Sequence, residues 1–131
     1  MPKLSKKTRA LLEGKNFAYI ATVNRDGSPQ VTPVWIDTDG KNVLVNTALG
    51  RIKQKNVARD PRVAIAVFDF SNQYAGSFIR GRVAKTITGK KAEDHIDYLS
   101  FKYTGNRKYA GRNSKERRVI LVIEPTHVSE R

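Results

Sequence analysis

The chain has 131 residues, no cysteine, and 25 Lys and Arg against 12 Asp and Glu, which gives a formal net charge of +13 at pH 7. That length suits one domain with a full hydrophobic core, and the lack of cysteine removes disulfides, thiolate metal sites and cysteine nucleophiles together. No apolar run approaches the roughly 20 residues that a membrane-spanning helix needs. The basic start Met1–Lys7 has no apolar stretch behind it to make a secretory signal, so a cytoplasmic protein without a membrane partner is expected. The positive excess attracts nucleic acid or an anionic small molecule, and serves equally as a solubilising surface.

In chain order, Ser5–Glu13 reads as a short helix: Leu4 precedes the N-cap candidate Ser5, Leu11 and Leu12 give an apolar face, and Gly14 ends it. Phe17–Val23 is β-branched and aromatic, Asn24-Arg25-Asp26-Gly27 is a turn signal, and Pro29–Ile36 resumes as a second strand. Asp37-Thr38-Asp39-Gly40 reads as another turn before a third strand, Asn42–Thr47, so the first half is a meander of antiparallel hairpins. A helix from about Leu49 to Arg59 stops before Asp60-Pro61, because the residue before a proline avoids helical geometry. Arg62–Phe68 is nearly continuous in apolar residues and is expected as a strand buried on both faces. A loop at Ser71–Gly76 leads to a fifth strand, Ser77–Thr86. Ala92, Ile96, Leu99 and Tyr103 recur at helical spacing and mark the main helix, Gly89–Tyr103. The stretch 102–118 combines seven Lys or Arg with Tyr103 and Tyr109 and is expected as a basic mobile loop. Val119–Ile123 is a sixth strand, stopped by Pro125. The expected fold is a single mainly β domain: a six-stranded antiparallel barrel, closed or nearly so, with the helices outside. So small a barrel fills its own interior, which leaves a sizeable ligand the outer wall or a groove shared with a second copy.

Reactive chemistry is sparse. His95 and His127 are the only histidines and lie far apart, Glu93-Asp94 reads as a helix flank, and no serine elbow is present. Metal catalysis therefore has little support, and a bound cofactor would have to carry a reaction. One stretch stands out, Asn46–Ile65, between two strand-like runs. Within it Arg51, Lys53 and Lys55 gather at a helix start, where unpaired N–H groups and the positive end of the helix dipole already lie. Cations there oppose the dipole unless an anion sits against both, so the segment reads as a phosphate cradle. The plain alternative is a solvated helix face.

Asp26–Trp35, Asn46–Lys53 and Asn56–Ala64 resemble the pyridoxamine 5'-phosphate oxidase-like split-barrel superfamily. The pattern Thr-Ala-x-Gly-Arg-x-Lys-x-x-Asn from Thr47, followed by Arg-Asp-Pro-Arg-Val from Arg59, is similar to its branch of deazaflavin (coenzyme F420)-dependent reductases. The resemblance spans residues 5–124 in order of elements and is sharpest over 26–65. It implies a homodimer with flavin-type cofactors in grooves at the subunit interface. It further implies that Arg51 and Lys53 hold the cofactor phosphate with Asn56 nearby, and that Thr47 and Ala48 close over the phosphate and ribityl region. The backbone of Thr32, Pro33, Val34 and Trp35 would run beside the tricyclic ring, and Asn46 would line its edge. Trp35 reads otherwise as core or dimer interface. The oxidase's substrate-gripping C-terminal Arg and His motif is not found before Arg131, and Arg51 stands where enzymes of flavin mononucleotide (FMN) often carry serine, so F420 is placed ahead of FMN. The implied reaction is hydride transfer between reduced deazaflavin and an electron-poor small organic substrate, with no catalytic acid or base named. The alternatives are an FMN-dependent oxidase or reductase, a haem-binding relative, a non-enzymatic cofactor carrier and a basic nucleic-acid-binding module. In the last, the loop 102–118 would track phosphates and stack bases; in the F420 reading it would clamp the cofactor's polyglutamate tail.

Overall fold

A computed structural model describes residues 2–131. The elements in order are α1 (Lys6–Glu13), β1 (Ala18–Val23), β2 (Pro29–Val34), β3 (Ile36–Thr38), β4 (Val43–Ala48), α2 (Ile52–Arg59), β5 (Arg62–Asp69), β6 (Asn72–Ile87), α3 (Lys90–Thr104) and β7 (Arg118–Glu130). The strands form one seven-stranded sheet in the order β2-β1-β5-β6-β7-β4-β3, and every pairing in it is antiparallel. Its two outermost strands, β2 and β3, are consecutive in the chain and joined by Trp35 alone. The sheet therefore has to curl until its edges meet at that residue, which produces a split barrel.

Alternate residues of the strands point into the barrel. Ile20, Val43, Val45, Val63, Ile65, Val67, Ile79, Val119, Leu121 and Ile123 form one buried cluster, joined by Val57 of α2 and by Leu4, Leu11 and Leu12 at α1. Each such side chain contributes about 1.5–3 kcal/mol of transfer free energy. The α1 helix starts as the sequence indicates, with the Ser5 hydroxyl accepting the Thr8 N–H at 3.0 Å. The α3 helix lies outside β4 and β7: its Ala92 packs on Ile120 and Val122, and its Ile96, Leu99 and Tyr103 pack with Trp35 and Tyr109.

Several expectations change. Seven strands replace six because the expected strand Pro29–Ile36 breaks at Trp35. Asp37 and Thr38 belong to β3 and not to a turn; the turn begins at Asp39, whose carboxylate accepts the Lys41 and Asn42 N–H groups. β6 begins at Asn72, inside the expected loop, as the return arm of a hairpin with β5. β5 buries one face only, Val63, Ile65 and Val67, while Ala64 and Ala66 face outward. The strand covered on both faces is β7, because α3 lies over its outer side. Nor does Pro125 stop β7, which continues to Glu130. The ladder shifts register between Arg80 and Gly81 opposite Pro125, and at such a bulge the missing proline N–H costs no ladder bond. A Cβ at Gly81 would stand 2.4 Å from the Glu124 carbonyl oxygen, so that close approach requires glycine.

The corner at Trp35 leaves the edge-side backbone groups of buried Ile36 without a strand partner, and α3 supplies both. The Ile36 N–H donates to the Tyr103 hydroxyl at 3.2 Å, and Lys102 Nζ donates to the Ile36 carbonyl at 2.6 Å. Tyr103 itself donates to the Asn16 carbonyl and stacks on Trp35 at 5.3 Å between ring centroids. Tyr103→Phe leaves the Ile36 N–H and the Asn16 carbonyl unsatisfied. It is expected to cost about 1–3 kcal/mol, read as a lower urea midpoint with an unchanged m value.

Candidate functional site

A groove opens where the Trp35 corner, the end of β4, the start of α2 and the start of β7 converge. Phe17, Val34, Trp35, Ile96 and Tyr109 give it apolar and aromatic walls, and Asn46, Thr47, Arg51, Lys53 and Arg118 give it polar ones. The local backbone explains the second set. Gly50, with φ of +92°, turns the chain from β4 into α2, a conformation that glycine adopts without strain. Arg51 then occupies the N-cap position, where its side chain makes no capping bond, so the first N–H groups of α2 remain free of a side-chain cap. Arg118 is paired with Ala48 in the β4–β7 ladder, which brings the start of one strand beside the end of the other.

The electrostatics are uneven. Arg118 has a side chain only 6% exposed; Nε donates to Asn46 Oδ1 at 2.9 Å, whereas Nη1 is buried without a hydrogen-bond partner and faces Glu116 Oε1 only as a loose ion pair at 3.8 Å. Its guanidinium lies over the Tyr109 ring at 5.3 Å. Burial pushes Arg118 below the ordinary arginine value. Lys53 is likewise held below the usual lysine range, first by burial and then by repulsion from Arg51 and Arg118. Arg51 pairs with Glu116 at 3.1 Å, which offsets one positive charge. The Thr47 hydroxyl is also buried and unpartnered. Unpaired donors beside several cations and an uncapped helix start are what a phosphate would satisfy.

Seven of the residues implied by resemblance line this groove: Pro33, Val34, Trp35, Asn46, Thr47, Arg51 and Lys53. The other three, Thr32, Ala48 and Asn56, are not part of its lining. Asn56 donates to Thr22 Oγ1 and Asn24 Oδ1, each at 3.0 Å, and so ties α2 to the end of β1. Lys55 is exposed and is not part of the lining. Sequence reasoning gave Phe17 and Ile96 no site role, and it placed Tyr109 and Arg118 only in the loop 102–118, as part of a clamp for a cofactor tail, and not in this groove. The available signal for Arg118 was a cation placed directly before a wholly apolar strand, where its side chain would be forced indoors.

The segment between α3 and β7 is fastened to α3. Arg112 pairs with Glu93 and, at 2.6 Å, with Asp97; the Tyr109 N–H donates to Asp97 at 2.8 Å, and the Arg118 N–H to Glu93 at 3.0 Å. Burial raises the Asp97 carboxyl, but the Tyr109 N–H and Arg112 outweigh it and hold it below the usual carboxylate range. Among the described residues no cluster of His, Asp and Glu could hold a metal ion, and no helix is long and apolar enough to cross a membrane.

A second, apolar concavity lies on the outer face of β2, β1, β5 and β6, lined by Tyr19, Val31, Ala64, Ala66 and Phe78. The registers align Pro33, Tyr19, Ala66 and Phe78 in one row across the sheet, and Val31, Ala21 and Ala64 in the next. Val31 is 64% exposed and Tyr19 is 46% exposed, so this face is uncovered in the single chain.

The family model for pyridoxamine 5'-phosphate oxidase matches residues 4–131. Among solved structures the chain is similar to an F420 reductase, with a TM-score of 0.81 and 29% identity over 95% of this chain and 98% of that one. HupZ of Group A Streptococcus shares the fold at a TM-score of 0.69 and 18% identity, over 96% of this chain and 92% of that one. General Stress Protein 26 of Bacillus anthracis shares it at a TM-score of 0.69 and 14% identity, over 95% and 91%.

Because Lys53 is depressed in the folded state, its cost to stability is present in full below its folded value and fades as pH rises toward the ordinary lysine value of 10.5. Lys53→Met is therefore expected to raise the melting temperature of the ligand-free protein at neutral pH, with the gap closing in alkaline buffer. Inorganic phosphate should raise the melting temperature of the wild type and not of this variant.

Proposed function

This chain belongs to the pyridoxamine 5'-phosphate oxidase family, and we propose that it is a homodimeric oxidoreductase holding a phosphate-bearing flavin-type cofactor, coenzyme F420 ahead of FMN, in the groove beside Trp35. The observation that carries this is the pair of buried donors without a hydrogen-bond partner, Arg118 Nη1 (3.8 Å from Glu116 Oε1) and Thr47 Oγ1, in one groove with Lys53 and Arg51. Such an arrangement is costly for a protein on its own and favourable once an anion is bound. The likeness to an F420 reductase of nearly the same length supports F420 over FMN.

Arg51, Lys53, Thr47 and Arg118 hold the phosphate in this proposal. Trp35, Phe17 and Tyr109 exclude water beside the ring, and the extended backbone at Pro33–Trp35 offers it hydrogen-bonding groups. Bound F420 would supply hydride to an electron-poor organic substrate; FMN would supply the corresponding flavin chemistry. The groove lining contains no carboxylate or imidazole among the described residues, so binding, orientation and electrostatics are what this chain contributes.

A second copy of the chain is the proposed cover for the apolar outer face. Tyr19, Ala21, Val31, Ala64 and Ala66 present small and flat apolar surface there, and Phe17, part of the groove wall, also lines the hollow next to Tyr19. Association through this face would close one side of the cofactor groove. The nucleic-acid alternative loses support from the loop's own pairing. Lys108 and Arg112 face Asp97, Lys102 is committed to the Leu12 and Ile36 carbonyls, Arg118 is buried and Arg107 lies over Phe101.

F420 is expected to bind with higher affinity than FMN in fluorescence titration. Each of Arg51→Ala and Lys53→Ala should weaken binding roughly ten- to a hundred-fold, the range for a hydrogen bond to a charged group. A wild type that binds neither cofactor overturns the proposal. Val31→Glu, which puts a charge on the most exposed part of the apolar face, should convert a dimer to a monomer in sedimentation and weaken cofactor binding along with it.

A further inference from the structure

Behind the groove wall a hydrogen-bond chain ends on the guanidinium of Arg118. It runs from Asp37 on β3 through His95 on α3 and Asn46 on β4 to Arg118 on β7. His95 Nε2 lies 2.9 Å from Asp37 Oδ2, His95 Nδ1 lies 3.1 Å from Asn46 Nδ2, and Arg118 Nε donates to Asn46 Oδ1 at 2.9 Å. The chain is sheltered: the Asp37 and His95 side chains are 12% and 10% exposed. None of its contacts is explained by metal binding.

One further contact sets the direction of every bond in it. Asn46 Nδ2 also donates to the Ala92 backbone carbonyl at 3.0 Å, and a carbonyl oxygen can only accept. The amide nitrogen therefore faces His95, so Nδ1 accepts and Nε2 carries the proton that it donates to Asp37. Turning the amide over would set oxygen against oxygen at Ala92 and N–H against N–H at Arg118. Asn46 Oδ1 is thus reserved for Arg118 Nε, and the guanidinium is held with Nη1 buried, without a hydrogen-bond partner and 3.8 Å from Glu116 Oε1, in a groove that Thr47 and Lys53 also line.

We propose that Asp37, His95 and Asn46 are positioning residues that act through Arg118, holding its guanidinium so that Nη1 takes an oxygen of a phosphate group in the groove. The inference rests on the proposed function for which phosphate compound arrives, and on the hydrogen-bond chain for the phosphate itself. A histidine that merely fills space beneath α3 would be replaceable by any side chain of similar size. A histidine that orders this chain would be replaceable only by one that accepts from Asn46 and donates to Asp37. Glutamine can do both through its amide, and leucine can do neither.

The test uses the full-length 15N-labelled protein with inorganic phosphate as the probe. In the wild type the His95 ring should show the Nε2–H form, and the Arg118 Nε–H resonance should shift as phosphate is added. His95→Gln should keep phosphate affinity within about twofold of wild type. His95→Leu should lower it about tenfold, the loss of one charge-assisted hydrogen bond, while the melting temperature shows that it is folded. Asp37→Leu, of similar size and unable to accept from His95 Nε2–H, should also weaken phosphate binding and serves if His95→Leu does not fold. A His95 proton on Nδ1, an Arg118 resonance indifferent to phosphate, or a folded His95→Leu or Asp37→Leu protein that binds phosphate as wild type does, each overturns the inference. A wild type that takes phosphate at Arg118 but neither F420 nor FMN keeps it and removes the cofactor proposal. Cofactor binding with Arg118 indifferent to phosphate does the reverse.

Discussion

The structure depends on the junction at Trp35, where the two edges of one sheet are forced together because β2 and β3 are neighbours in the chain. Closing a sheet there leaves backbone groups at the corner with no strand to pair with, and a buried unpaired group costs as much as a lost hydrogen bond. Tyr103 and Lys102 of α3 meet that need at Ile36, and Trp35 is clamped between the Tyr103 face and the Tyr109 edge. Burial lowers the Lys102 ammonium below its ordinary value and raises the Tyr103 phenol above its own, which records how far indoors both were drawn. The position of α3 follows from this corner, and so do the groove that α3 helps to wall and the chain from Asp37 to Arg118 that runs beneath it.

The groove carries an opposite tension. Its cations are concentrated where a helix start already contributes positive potential, and two buried donors lack hydrogen-bond partners. Glu116, close to Arg51 and more loosely paired with Arg118, and the Asn46–Arg118 bond relieve part of that potential and leave the rest directed into the groove. Stability elsewhere offsets the cost. The barrel interior is closed by α1, whose Thr8 hydroxyl bonds Ser77 and Glu130 and so staples the first helix to β6 and β7. Among the described residues two of the three buried side-chain atoms without a hydrogen-bond partner therefore lie where binding would satisfy them; the third, the Thr32 hydroxyl, is outside the groove lining.

Much of the fold was legible because its signals are local. Ser5 and Gly14 bracket α1, the spacing of Ala92, Ile96, Leu99 and Tyr103 marks α3, and the short turns at Gly27 and Gly40 mark hairpins. The errors fall where a local signal gives way to pairing. Pro125 reads as a stop, but β7 passes it because a bulge opposite Gly81 absorbs the missing donor. Asp37 reads as a turn residue, yet pairing with Leu44 draws it into β3 and against His95. Of the groove, Arg51 and Lys53 were legible in the cationic helix start, whose third member Lys55 lies outside the lining, and Thr47 came from the resemblance. Arg118 was not legible there, because it lies 65 positions beyond Lys53 and reaches it only through the β4–β7 ladder.

Sequence alone determined the element types, the cationic helix start and the scarcity of reactive side chains, since each depends on residues close together in the chain. Only the tertiary structure decided which strands became edges, which cations lost their solvent, and which way a single asparagine amide points. Those outcomes depend on burial and on donors meeting acceptors across the sheet, and an amide held by the Ala92 carbonyl has no trace in the order of the residues.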